Sequence, residues 1–96
     1  MTKIDINDVN IKDIKELFSQ HELIVSDIDI DEENNSANVY IEVSVMDTYT
    51  IDWIESIIKK IKTIQDELVK EGLIEDISLA DIYQGVWRIS VNFKTE

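Results

Sequence analysis

Three aspartates at alternate positions, Asp27-x-Asp29-x-Asp31, run directly into Glu32 and Glu33 and form the densest group of chemically capable side chains in the sequence. Carboxylates this close together first suggest a calcium site. An EF-hand loop needs glycine at its sixth position and glutamate at its twelfth. Counted from Asp27, those positions hold Glu32 and Asn38; counted from Asp29, they hold Asn34 and Tyr40. Neither register fits. On a strand, alternate carboxylates stand about 6.5–7 Å apart, too far for several to share one ion without help from the turn. A weak divalent site could draw only on Asp31, Glu32, Glu33 and Asn34, and the expectation is a chain with no metal and no other cofactor.

Acid–base catalysis by a carboxylate pair needs one member buried, so that its pKa rises. The acidic residues here occupy polar or alternating positions that predict exposure. No Ser/His/Asp set, phosphate-cradling glycine loop or zinc-ligand spacing is present. The single histidine, His21, falls at a predicted helix C-terminus, where a partial positive charge suits the dipole, and is read as structural. Cysteine is absent, which removes disulfides, thiolate nucleophiles and cysteine-based zinc sites together. The sequence therefore points away from an enzyme.

The elements that would hold these residues are legible from periodicity. Ile54, Ile57, Ile61, Ile64 and Leu68 recur at spacings of three and four, widened by Ile51 and Ile58, and predict one amphipathic helix over 50–72. Thr50 caps its start, with Tyr49 placed to pack on Ile54. Gly72 ends it in a Schellman motif that folds Leu73 onto Leu68. Glu55 with Lys59 and Asp66 with Lys70 are spaced as favourable pairs. A first helix, capped by Asp8 or Asn10, gathers Ile11, Ile14, Leu17 and Phe18 on one face and ends near His21. Residues 2–6 have the pattern of a short strand, with Ile4 and Ile6 facing in, or of an ordered arm.

Residues 23–31 alternate strictly in their second half, with Ile28 and Ile30 opposite Asp27, Asp29 and Asp31. After the polar turn EENNS, Ala37, Val39, Ile41, Val43 and Val45 alternate as a second strand. A second hairpin over 74–83 and 86–94 turns at Gln84-Gly85, with Trp87, Ile89, Val91 and Phe93 inward and Asp81 opposite Arg88. The same register places Ile77, Leu79, Tyr83 and Val86 on the outer face, unless a bulge turns some of them inward. The order is αββαββ, and HELIVSDIDI faintly matches EGLIEDISLA. An α+β domain over 1–96 is expected, with two helices on one face of a four-stranded antiparallel sheet, ferredoxin-like or a permuted variant.

Charge decides among the remaining functions. Nine basic residues against 21 acidic ones leave −12 over 96 residues, and no Lys or Arg lies between Glu16 and Ile58. Such a surface repels nucleic acid and anionic membrane and favours a basic partner. With no apolar signal core and no apolar run of about 20 residues, a cytoplasmic protein is expected. In size, charge, lack of cysteine and Ile/Lys/Asp/Asn-rich usage the chain is similar to small acidic inhibitors encoded by phages and mobile elements, including anti-CRISPR proteins. That similarity covers no alignable motif and carries no residue role with it.

The resulting expectation is a protein-binding module. Its open sheet face, Asp27, Asp29, Asp31, Glu32, Glu33, Tyr40 and Glu42, with Trp53 as an anchor, would stand in for nucleic acid before a basic, nucleic-acid-binding protein. Two alternatives are a homodimer or assembly subunit joined through Ile77, Leu79, Tyr83 and Val86, and a small-molecule regulatory domain, whose mark would be a preformed apolar pocket.

Overall fold

The long helix, α2, spans Ile51–Lys70 in the computed structural model, which describes residues 11–94 and the side chains from Asp13 to Lys94. Thr50 Oγ1 accepts the Trp53 amide at 3.1 Å, as an N-cap does. At the other end Gly72 takes a φ of 76°, and the Leu73 amide reaches back to the Leu68 carbonyl at 3.0 Å. Ile57, Ile61 and Ile64 are buried, and Ile54 and Leu68 pack partly against them. The flanks of the stripe differ from expectation: Ile51 is 74% exposed and Ile58 45%. Tyr49 stacks on Trp53 at 4.7 Å, and Asp66 pairs with Lys62 at 2.8 Å instead of with Lys70. The Glu55–Lys59 pair forms at 3.6 Å.

The first helix, α1 (Ile11–Gln20), ends as α2 does. The Leu23 amide bonds the Phe18 carbonyl at 3.0 Å, and the Glu22 amide bonds that of Ser19 at 2.9 Å. These are the α2 bonds fifty positions earlier (18 and 68, 19 and 69, 22 and 72, 23 and 73). At the left-handed position the two ends differ: Glu22 holds a φ of 64° where the second unit has glycine. That conformation costs a non-glycine residue about 1–2 kcal/mol. Glu22→Gly is therefore expected to stabilise the protein by about 0.5–1 kcal/mol, after the greater freedom of glycine in the unfolded chain is subtracted. The exposed contact of Glu22 with Lys60 at 3.3 Å, lost in that variant, offsets little. A raised urea midpoint checks it.

Four strands follow in two hairpins: β1 (Ile24–Asp31) with β2 (Ser36–Glu42), and β3 (Ile74–Tyr83) with β4 (Val86–Phe93). They form one antiparallel sheet in the order β1-β2-β4-β3. In the central pair, Val39 lies opposite Ile89, its own counterpart at the fifty-residue offset. An approximate two-fold axis therefore passes between these two residues and relates the αββ units. The expected strand at 2–6 and the helix cap at Asp8 or Asn10 lie outside the described residues.

Alternation makes one sheet face apolar. Ala37, Val39 and Ile41 of β2 meet Trp87, Ile89, Val91 and Phe93 of β4, and all are buried with Phe18, Leu23 and the α2 stripe in one core. β2 stops at Glu42, short of the expected Val45. From Val43 the chain bonds Gly85 through the Val43 amide, at 3.0 Å, and Gln84 Nε2 donates to the Met46 carbonyl at 3.2 Å. This drapes residues 43–46 over the second hairpin turn and leaves Val45 67% exposed. The close approach needs glycine at 85: its φ is 89°, and a Cβ there would lie 3.0 Å from Val45 Cγ2.

Candidate partner-binding face

Cross-strand register places the acidic side chains. Asp27, Asp29 and Asp31 pair with Tyr40, Asn38 and Ser36, while Val25, Ile28 and Ile30 pair with the buried Ile41, Val39 and Ala37. All three aspartates therefore stand on the face turned away from the helices, with Tyr40 and Glu42 beside them. A bulge at Ser26 sets this phase, and Ser26 Oγ donates to the Tyr40 carbonyl at 3.3 Å.

β3 carries two bulges, at Glu75 and Ala80. Asp81 and Tyr83 stay on the open face opposite Arg88 and Val86, as the hairpin register predicts. Beyond Ala80 the parity reverses. Ile77 and Leu79 turn to the helix side, opposite Val91 and Ile89, and Asp76 takes a place on the open face opposite Asn92. The expected self-association patch of Ile77, Leu79, Tyr83 and Val86 is thereby divided between the two faces and is no single surface. The same reversal supplies Asp76, which a straight strand would have turned inward.

The open face thus has acidic margins and a polar centre. Asp27, Asp29 and Asp31 line one edge strand, and Asp76 and Asp81 the other, with Glu42 on β2. Three strand spacings, about 14 Å, separate the two edge rows. Between them lie Ser36, Asn38, Tyr40, Ser90 and Asn92, with one cation among the paired strand positions, Arg88. Its Nε donates to Asp81 Oδ2 at 2.9 Å, its Nη2 bonds the same oxygen, and Nη1 donates to Asn38 Oδ1 at 3.0 Å. The Asp81 carboxylate holds the Arg88 guanidinium above its ordinary pKa. Arg88 is thus tied to the β3 row, and among the described residues nothing comparable offsets the β1 row. Asn92 Nδ2 donates to Asp76 Oδ1 at 2.6 Å.

Asp31 has a second task. Its carboxylate accepts the Asn34 side-chain amide at 2.7 Å and the Asn34 backbone amide at 3.2 Å, closing the β1–β2 turn. These bonds, the side chain's first, hold its carboxyl below the usual carboxylate range. A depressed folded pKa contributes stability that is present above the unfolded value of about 3.9 and lost as pH falls through the folded one. Asp31→Ala is expected to be less stable than wild type near neutrality and to lose less on acidification below about pH 4. Urea midpoints across that range check the sign. Glu32 and Glu33 are exposed in the turn.

Trp53 lies elsewhere. It sits half-buried near the start of α2, stacked on Tyr49 and edge-on to Trp87 at 6.0 Å, on the helix side of the sheet. It and the acidic rows are not brought together. His21 Nε2 lies 3.6 Å from Glu67 Oε2, tying the end of α1 to α2. Among the described residues no three His, Asp or Glu side chains are grouped to hold a metal, and no helix is long and apolar enough to cross a membrane.

No protein-family model, curated protein or solved structure matches the chain. The reading of function therefore rests on the geometry of this face.

Proposed function

We propose that the protein is a binding module, not an enzyme, whose open sheet face engages a basic, nucleic-acid-binding surface of another protein and inhibits it by presenting nucleic-acid-like charge. The observation that carries this reading is the pair of carboxylate rows on the two edge strands, held by a rigid sheet. Their separation of about 14 Å is comparable with a major groove about 12 Å wide. Within the β1 row the repeat is about 6.5–7 Å. Fixed carboxylates in register attract a basic groove at long range and dock it in one orientation, which serves specificity and on-rate more than raw affinity.

Tyr40 and Tyr83 on the same face supply the apolar contact area that charge alone lacks. In this proposal the sheet order is that of a ferredoxin-like fold with its strands permuted, the module acts in the cytoplasm, and it resembles the acidic inhibitors of phages and mobile elements, anti-CRISPR proteins among them. The test is capture from a host lysate at low and moderate salt with the wild-type protein and with an Asp27/Asp29/Asp31→Asn variant. Recovery of a basic nucleic-acid-binding protein by the wild type alone, lost at moderate salt, supports the proposal. Recovery by both, or of the bait alone, overturns it.

A further inference from the structure

The two edges of the sheet are finished differently. On β3 the Ile77 amide is taken by Gln65 Oε1 of α2 at 2.9 Å, and bulges at Glu75 and Ala80 break the line of the strand. An edge blunted in these ways resists a further strand. At the fifty-residue offset Gln65 answers to Lys15 of α1, an exposed side chain with donors only, which can take no amide. β1 is bulged at Ser26 and runs straight from Asp27 to Asp31. Among the described residues no strand pairs with its outer side.

Backbone parity says which groups that outer side presents. The Phe93 amide bonds the Asn35 carbonyl and the Val43 amide that of Gly85, each at 3.0 Å. Bonding direction alternates along a strand, so the odd-numbered residues of β2 are spent on β4 and the even-numbered ones, Ser36, Asn38 and Tyr40, on β1. Their partners Asp31, Asp29 and Asp27 are thereby used up, and Ile28 and Ile30 turn their amides and carbonyls outward. The Ile28 amide agrees: it bonds the carboxylate of its neighbour Asp27, at 2.9 Å. That bond is exposed to water, so exchanging it for a strand carbonyl costs little.

Carboxylates and outward backbone groups thus alternate along one edge. An antiparallel strand laid on β1 would bond Ile28 and Ile30. The residues facing the aspartates would then occupy non-hydrogen-bonded positions, where Cα atoms are about 4.5 Å apart and side chains approach most closely. Asp31 stays with Asn34, so Asp27 and Asp29 do most of the pairing. On the helix side, half-buried Ile28 and Ile30 offer apolar flanks to the residues between. A second copy of this chain fits poorly, because it would set one β1 row of carboxylates against another. We infer that the outer edge of β1 takes up an extended segment of the partner, with Lys or Arg at alternate positions and apolar residues between them, as a fifth, antiparallel strand. This inference rests on the proposed function, whose basic partner it specifies: the carboxylates attract the segment, and the open ladder fixes its direction and register.

The probe is an acetylated, amidated pentapeptide of alternating arginine and valine, titrated into the full chain and followed by amide resonances and amide hydrogen exchange. A saturable shift is expected, with exchange slowed at the Ile28 and Ile30 amides. N-methylation separates strand addition from charge. On the valine nitrogens, which would face β1, methyl groups are expected to weaken binding about tenfold; on the arginine nitrogens, which would face away, by less than about threefold. The same residues with the arginines contiguous keep the charge, lose the alternation, and are expected to bind about tenfold more weakly. Absence of a saturable shift, unchanged exchange at Ile28 and Ile30, or equal weakening by both methylation patterns overturns the inference. Equal, salt-sensitive binding of every peptide overturns it too, and leaves an electrostatic face without strand addition. Capture of the partner from lysate, which involves no peptide, decides the underlying reading separately. Slowed exchange of the same two amides on dimerisation of the free protein would replace the partner segment with a second copy, and so overturn the inference.

Discussion

Trp87→Ala is expected to lower stability by about 3–5 kcal/mol. The indole is 1% exposed and fills the sheet's inner face between Ile41 and Ile82, with Trp53 edge-on against it. A small domain has only about 5–15 kcal/mol in all, so the variant sits close to the unfolding threshold at room temperature. Trp87→Phe separates two contributions to that loss. It keeps most of the ring volume and removes the indole N–H, which is buried without a partner among the described residues. An unsatisfied buried donor weighs about 1–3 kcal/mol against the folded state, so deleting it offsets much of the smaller cavity. The expected net cost is about 1–2 kcal/mol. Urea unfolding followed by far-ultraviolet circular dichroism gives both values. A phenylalanine variant as unstable as the alanine one would mean that the indole N–H is satisfied in solution.

Much of this architecture is written in local pattern. The stripe from Ile54 to Leu68, the Thr50 cap and the Gly72 stop each rest on contacts within one or two helical turns, and each forms as the spacing predicts. Strand parity in β1, β2 and β4 is equally local, because one buried face fixes register along the whole strand. What escapes such reading is the bulge. Nothing in GLIEDISLADIY marks Glu75 and Ala80 as extra residues, because the bulges answer to the partner strand and to the placement of Ile74, Ile77 and Leu79 on the helix side. One slipped residue exchanges faces for every side chain beyond it. That is why the outer apolar patch dissolves and why Asp76 joins the acidic face. The exposure of Val45 has the same kind of origin: the pattern of β2 continues, but its neighbours do not. The unit repeat, faint in residue identity, becomes plain only in the hydrogen bonds, where Glu22 performs the glycine's part.

Converting Asp27, Asp29 and Asp31 together to asparagine is expected to slow association with the proposed basic partner about tenfold at low salt, with little change at high salt. The argument runs through geometry. Three of the six carboxylates on the open face lie on β1, and Arg88 is tied to the other edge, so the β1 row contributes most of the unopposed field. Steering by such fields raises encounter rates by about 10–10³, and it fades when ions shorten the screening length from about 10 Å at 0.1 M salt toward 3 Å at 1 M. Asparagine keeps the size of each side chain and, at position 31, an acceptor for the turn that Asn34 closes, so the fold should survive. The decisive comparison is a second triple variant on α2, Asp52→Asn, Glu55→Gln and Asp66→Asn, which removes the same charge from the helix side. If the face matters, only the β1 variant loses its salt dependence and its rate. Equal slowing by both would reduce the effect to net charge, and no slowing by either would leave the acidic rows with solubility as their only role.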